Sequence, residues 1–283
     1  MKAYKINSSI NYLEIDPSCI DEGMKYATKN KCKNIRIITL NDNSGSKYDV
    51  SFCAFKDKNF IENLIISDDF KIGKVDTIES IYTLKNLTSL QLQQFLDIDF
   101  ENLTQLKILY YKHNIKCKNL SLLVNLEDFL STSTRADDCY FFSDLTNLKR
   151  VRINGNMKKI DGIEKLVNLN ELYVTYSPKL EDVTAIGKMK ILKKLHIEKC
   201  KNITDYSFLE SNQTIEDLFI DELSDFGFIQ TMTELKKLNF WNCKSGNLNP
   251  LLHSPKLKDV SFYPNKKHYT HTKEEVIHLL TSK

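Results

Sequence analysis

The chain has 283 residues, of which 41% are apolar and 27% charged, a balance that suits a folded core and argues against disorder. Its 40 basic residues against 37 acidic ones leave a net charge of only +3, which gives no electrostatic case for a dedicated nucleic-acid binder. No run approaches the roughly 18 apolar residues that span a membrane, and the seven cysteines, odd in number and without a C-x-x-C pair, fit a reducing compartment better than a disulfide framework.

Residues Met1–Asn7 lack an apolar core and a small-residue cleavage site, so they do not read as a secretory signal and the expected location is cytoplasmic. Sequons at Asn86 and Asn202 are then chance products of an Asn-rich composition. Alternating Tyr4, Ile6, Ile10 and Tyr12 predict a strand or hairpin, and Asp16-Pro17 opens a helix through Met24, Tyr26 and Ala27. This segment, residues 1–34, has the task of covering an apolar face that has no neighbour before it.

From there the chain is periodic. Leu145, Leu148, Val151 and Ile153 stand at L-x-x-L-x-x-L-x-L, with Asn156 three residues on. Leu166, Leu169, Leu172, Val174 and Ser177 repeat that spacing, as do Met189, Leu192, Leu195, Ile197 and Cys200. Paired strand positions are expected at Ile38/Leu40, Leu64/Ile66, Leu90/Leu92, Leu109/Tyr111, Phe129/Ser131, Val151/Ile153, Leu172/Val174, Leu195/Ile197, Leu218/Ile220, Leu238/Phe240 and Val260/Phe262. The mean step, (260 − 38)/10, is about 22 residues.

Three residues past each pair come Asn43, Asp69, Phe95, Asn114, Thr134, Asn156, Ser177, Cys200, Leu223, Cys243 and Asn265. Most are small and polar, able to sit inside a turn and bond carbonyls that a short strand leaves unpaired. Phe95 and Leu223 break the rule, so their turns must satisfy the backbone in another way. On the return side Ile160/Ile163/Leu166, Leu180/Val183/Ile186 and Ile203/Tyr206/Leu209 step by three, the spacing of a single 3₁₀ turn.

The whole pattern, over about Asn34–Asn265, resembles the leucine-rich repeats of bacterial internalin-type proteins and of the phosphatase-regulator class. That resemblance implies an α/β solenoid: a leucine-rich-repeat horseshoe with parallel β-strands on the concave face, short 3₁₀ or helical convex segments and terminal caps. The expected organisation is one continuous domain, with an N-terminal cap at 1–34, about eleven repeats at 35–265 and a capping helix at 266–283. Thr272-Lys273-Glu274-Glu275 is a T-x-x-E capping box, and Val276, Ile277, Leu279 and Leu280 supply the apolar face of that last helix. With both ends capped, the chain reads as a complete protein.

No catalytic signature is present: G-x-G-x-x-G, a Walker loop, G-x-S-x-G and H-E-x-x-H are all missing. His268, His271, Glu275 and His278 cluster in the tail, yet with a single E-x-x-H they read as polar groups around a cap helix, not as metal ligands. Cys200 and Cys243 fall at turn positions and read as buried. No enzyme activity, metal or cofactor is expected.

A strand period of two leaves three columns facing outward between the buried pairs. The first runs Asp128, Arg150, Glu171, Lys194, Asp217, Lys237, Asp259. The second runs Tyr110, Leu130, Arg152, Tyr173, His196, Phe219, Asn239, Ser261. The third runs Lys112, Thr132, Asn154, Thr175, Glu198, Asp221, Trp241, Tyr263. Aromatic side chains normally gain by burial, so exposed Tyr110, Tyr173, Phe219, Trp241 and Tyr263 among charges of both signs have the composition of a protein-binding surface. Cross-strand stacking of the rings is the competing structural explanation.

The expected partner-binding set is therefore Tyr110, Arg150, Arg152, Tyr173, Lys194, His196, Glu198, Asp217, Phe219, Asp221, Trp241 and Tyr263, engaging a protein and neither nucleic acid nor membrane. The expected free state is a monomer. The chain also resembles stand-alone bacterial leucine-rich-repeat immunity proteins, which would make the partner a toxin domain neutralised by occlusion. The alternative is a secreted or surface internalin-like effector or adhesin that binds a host protein.

Overall fold

The computed structural model describes residues 2–40 and 45–282, which fall into two compact units, 2–132 and 133–282. The first begins with a hairpin, β1 (Tyr4–Asn7) and β2 (Tyr12–Ile15), followed by a 3₁₀ turn at Pro17–Cys19 and α1 (Ile20–Asn30). Asp16 starts that turn by accepting the amide of Ser18 at 3.1 Å. Strands β3 (Asn34–Ile37), β4 (Lys47–Val50), β5 (Asn63–Ile66), β6 (Lys71–Val75), β7 (Ser89–Leu92), β8 (Ile108–Lys112) and β9 (Asp128–Thr134) complete the series, the last two residues of β9 belonging to the second unit. The first-unit sheet has the order β1-β2-β3-β5-β7-β8-β9, and all of its pairings after β1–β2 are parallel. Strands β4 and β6 form a separate parallel pair that the periodicity does not reveal.

The second unit continues with β10 (Arg150–Gly155), β11 (Glu171–Thr175), β12 (Lys194–Glu198), β13 (Asp217–Leu223), β14 (Lys237–Cys243) and β15 (Asp259–Phe262), parallel neighbours in chain order. In register, Val151, Leu172, Leu195, Leu218, Leu238 and Val260 stack in one row, each at most 1% exposed. Each such side chain contributes on the order of 2 kcal/mol relative to exposure. No repeat can bury that row alone, which is why the strands stack.

Backbone bonding recurs as regularly as the leucines. The carbonyl just before each strand accepts two successive amides of the next repeat, as Lys149 does from Asn170 (2.9 Å) and Glu171 (3.0 Å), and Lys193 from Glu216 (2.8 Å) and Asp217 (3.0 Å). On the return side the step-of-three residues close i→i+3 bonds: Ile163 to Ile160 and Leu166 to Ile163, both 3.1 Å. The short turns at Ile163–Lys165, Thr184–Lys188 and Ser207–Leu209 are the result. A further ladder comes from the amide side chain of L-x-N-L, where Asn168 donates to the Thr146 carbonyl at 2.9 Å. The last helix, α2 (Lys273–Thr281), carries the full capping box between Thr272 and Glu275 and buries Val276 and Leu280, while Ile277 and Leu279 stay exposed.

Three expectations are corrected. The first core pair is Ile35/Ile37, both fully buried on β3, and not Ile38/Leu40, which are only half-buried past the strand end. Two apolar pairs adjoin in N-I-R-I-I-T-L, and burial selects the earlier because β2 supplies Leu13 and Ile15 opposite it. Asn156 is exposed; Gly155, at φ 145°, swings the turn so that Met157 enters the core instead. Asn265 is also exposed and bonds the last helix, through the Lys273 amide at 3.1 Å. Asn43 lies outside the described residues.

Elsewhere the turn chemistry holds. Asn114 donates to the Leu96 carbonyl (3.2 Å) and the Cys200 thiol to the Glu198 carbonyl (3.4 Å), while the Ser177 hydroxyl donates to Thr175 (3.0 Å). Where Phe95 breaks the pattern it is 48% exposed, and its neighbour Gln94 donates to the carbonyls of both Ser67 and Phe70 at 2.6 Å. Leu223 is buried, with the adjacent Glu222 carbonyl accepting from Tyr206 Oη at 3.3 Å.

Candidate binding face

On β10–β15 the residues between the buried pairs are half-buried or exposed, as the period of two requires. The first column places Arg150, Glu171, Lys194, Asp217, Lys237 and Asp259 side by side, so that every neighbour has the opposite sign. Arg150 bonds Glu171 at 3.0 Å, Lys194 meets Asp217 at 3.2 Å and Lys237 meets Asp259 at 3.6 Å. Burial alone would lower the Lys194 pKa, but the bond to Asp217, its charge and the neighbouring Tyr173 together outweigh it and hold the ammonium above its ordinary range. These charges neutralise one another across the strands, which fixes register and leaves little net charge for steering.

The second column carries a run of rings. Tyr173 on β11 lies 5.5 Å from His196 on β12, His196 stacks on Phe219 of β13 at 4.2 Å with 9° between planes, and Phe219 meets the edge of Trp241 on β14 at 5.4 Å. Glu171 anchors one end by accepting the Tyr173 hydroxyl at 3.0 Å, and Glu198 holds His196 at 3.0 Å. The Tyr173 phenol is pushed up by burial and by that carboxylate, so it remains a neutral donor. The rings are thus stacked and at the same time accessible: Trp241 is 38% exposed.

Known proteins share the fold that carries this face. No protein-family model and no curated protein matches the sequence. Solved structures similar to it include an internalin of Listeria monocytogenes, 18% identical over 97% of this chain and 84% of that one at a TM-score of 0.58, and a leucine-rich-repeat protein of Leptospira interrogans, 16% identical over 90% and 72% at 0.61. Both likenesses concern the fold. The chain has a leucine-rich-repeat fold.

Within the leucine-rich-repeat array the expected site residues do not all have the same surroundings. Arg150, Arg152, Tyr173, Lys194, His196, Glu198, Asp217 and Phe219 come together on β10–β13, and Trp241 lies beside them on β14. Tyr263, 82% exposed, stands just past β15. Tyr110 belongs to the first unit, where its hydroxyl donates to Asp128 at 2.8 Å. Asp221 is occupied from within: it accepts the amides of Lys199 at 2.9 Å and Glu222 at 3.0 Å. Asn154 does the same for the Ser133 amide at 2.9 Å. The third column therefore divides between turn closure and exposure.

Two exposed side chains escaped the sequence reading. Tyr176 and Lys199 occupy left-handed backbone, φ 46° and 56°, at equivalent turns. Left-handed residues are usually Gly or Asn, so a Tyr or Lys gives no warning of the turn. Lys199 reaches across its repeat to place Nζ 4.8 Å over the Trp241 ring. In the tail, Glu275 is used by the helix cap and His268 bonds the Cys243 carbonyl at 3.2 Å. Among the described residues no group of three or more His, Cys, Asp or Glu is placed to hold a metal ion, and no helix is long and apolar enough to cross a membrane.

Proposed function

We propose that the chain is a non-enzymatic protein-binding module whose sheet face on β10–β15 grips one partner protein. The observation that carries this reading is the unbroken run Tyr173–His196–Phe219–Trp241, aromatic surface that the fold leaves open instead of covering. Its charges are already paired, so affinity comes from the rings and from desolvation at the centre, with the rim setting partner choice. Stacking also preorganises the rings, which lowers the ordering entropy of binding.

Within that class the reading adopted is a cytoplasmic immunity protein, monomeric when free, that covers the working surface of a cognate toxin domain. It is supported by a rigid open face and by the resemblance of the repeat pattern. The fold likeness to an internalin favours a second reading, a surface or secreted protein that binds a host protein. Affinity capture with the full chain from its native cells, run in parallel with a Trp241→Ala/Tyr263→Ala variant, tests the class. A partner retained by the parent and lost by the variant supports it, and equal retention overturns the face assignment. The partner's own activity, blocked or unaffected when bound, then separates the two finer readings.

A further inference from the structure

At the C-terminal ends of β12 and β13, next to the Lys199 side chain that covers Trp241, lies a cavity of about 400 Å³. That size lies within the range of small-ligand pockets. Its inner wall is formed by buried Ile203, Tyr206 and Leu223 together with Cys200. Burial pushes the Cys200 thiol up to about 11 and raises the Tyr206 phenol too, so this wall is uncharged at neutral pH. It can accept an apolar group but offers neither a nucleophilic thiolate nor an ionised ligand for a metal.

The rim is charged, and its two signs are in different states. Asp221 already accepts two backbone amides. Glu222 takes the Asn242 amide at 2.9 Å and Lys244 at 3.0 Å, which together hold its carboxyl below the usual range. Of the rim lysines, Lys244 is thus committed to Glu222. Lys199 rests on the Trp241 face, and Lys201 is exposed and forms no ion pair among the described residues. The donors left over are cationic.

We infer that this cavity is the anchor pocket of the binding face, receiving an apolar side chain of the partner protein that is flanked by a carboxylate: the apolar group enters the cavity and the acid meets Lys199 and Lys201. The inference rests on the proposed protein-binding role and is supported by the cavity's continuity with the aromatic run through Lys199 and Trp241, and by the charge left open on its rim.

Trp241 is the only tryptophan of the chain, so its emission reports on this corner. The full chain is titrated with the peptide acetyl-Glu-Leu-Phe-Asp-amide and with its uncharged counterpart acetyl-Gln-Leu-Phe-Asn-amide. The acidic peptide should shift Trp241 emission saturably and bind about tenfold more tightly than the counterpart, a preference that disappears at high salt. Lys201→Glu should reverse the preference. Lys199→Asn, which keeps a residue tolerant of left-handed backbone, should weaken it without unfolding the turn. Equal affinity for the two peptides, absence of saturation, or an unchanged preference in both variants overturns the inference. Phe219→Ala alters the stacked rings and leaves the rim intact. If it abolishes partner capture yet retains the peptide preference, pocket and face stand separately. If capture survives loss of the rings, the protein-binding face fails whatever the peptides do.

Discussion

Replacing Phe219 by Ala separates a decorative ring from a structural one. Phe219 is half-buried, stacks on His196 at 4.2 Å and meets the Trp241 edge at 5.4 Å. Ring pairs of this kind contribute about 0.5–1.5 kcal/mol each beyond area burial, so losing both, with part of the buried ring area, should cost about 2–3 kcal/mol. Tyr263 makes the control: at 82% exposed, its truncation should cost under about 0.5 kcal/mol. Urea unfolding monitored through Trp241, which lies in the same unit, reads both values. A Phe219→Ala loss no larger than that of Tyr263→Ala would show that stacking does not hold this part of the sheet, and the argument for a preorganised face would fall.

Three further outcomes are expected. Glu14, 2% exposed, accepts from Asn7 at 3.0 Å and pairs with Lys5 at 2.9 Å; burial opposes its ionisation, but these partners outweigh it and hold the carboxyl below its ordinary range. Its contribution is therefore present above the unfolded carboxylate pKa of about 4.3 and is lost as pH falls through the lower folded value. Glu14→Gln should weaken the first unit at pH 7 and much less at pH 3, as read by urea midpoints from circular dichroism; an equal loss at both pH values would refute the linkage. Gly155→Ala places a methyl group against the Thr134 carbonyl at a φ of 145°, and should lower stability by more than about 2 kcal/mol; a melting temperature within a degree or so of the parent's would show that the turn can relax. In native protein at pH 8, iodoacetamide should label exposed Cys53 and spare Cys139 and Cys200, whose thiols burial raises, until the chain is unfolded; prompt labelling of Cys200 would contradict its packing in the turn.

The leucine periodicity made the strand rows legible because every buried pair is two residues wide and recurs where the core needs it. It failed at N-I-R-I-I-T-L, where the apolar pairs Ile35/Ile37 and Ile38/Leu40 adjoin and only the neighbouring strand decides between them. It failed again at Asn156, because the dihedral angle of Gly155, not the residue type at the third position, settles which side chain enters. The outward columns of β10–β15 were legible for the same reason as the core. Their division of labour was not: that Asp221 closes a turn, or that Lys199 reaches Trp241, depends on left-handed turns occupied by residues that carry no turn signal. The cavity beside them is assembled from four successive repeats and has no counterpart in any local motif.

The central claim is that the open aromatic face of β10–β15 is where the partner sits. Hydroxyl-radical footprinting of the captured complex against the free chain tests it most directly. Binding should protect Tyr173, Phe219, Trp241 and Tyr263 while Tyr140, 47% exposed on the return side, keeps its reactivity. Protection of Tyr140 with the four sheet-face rings unchanged would place the partner on the opposite side of the repeats and contradict the account.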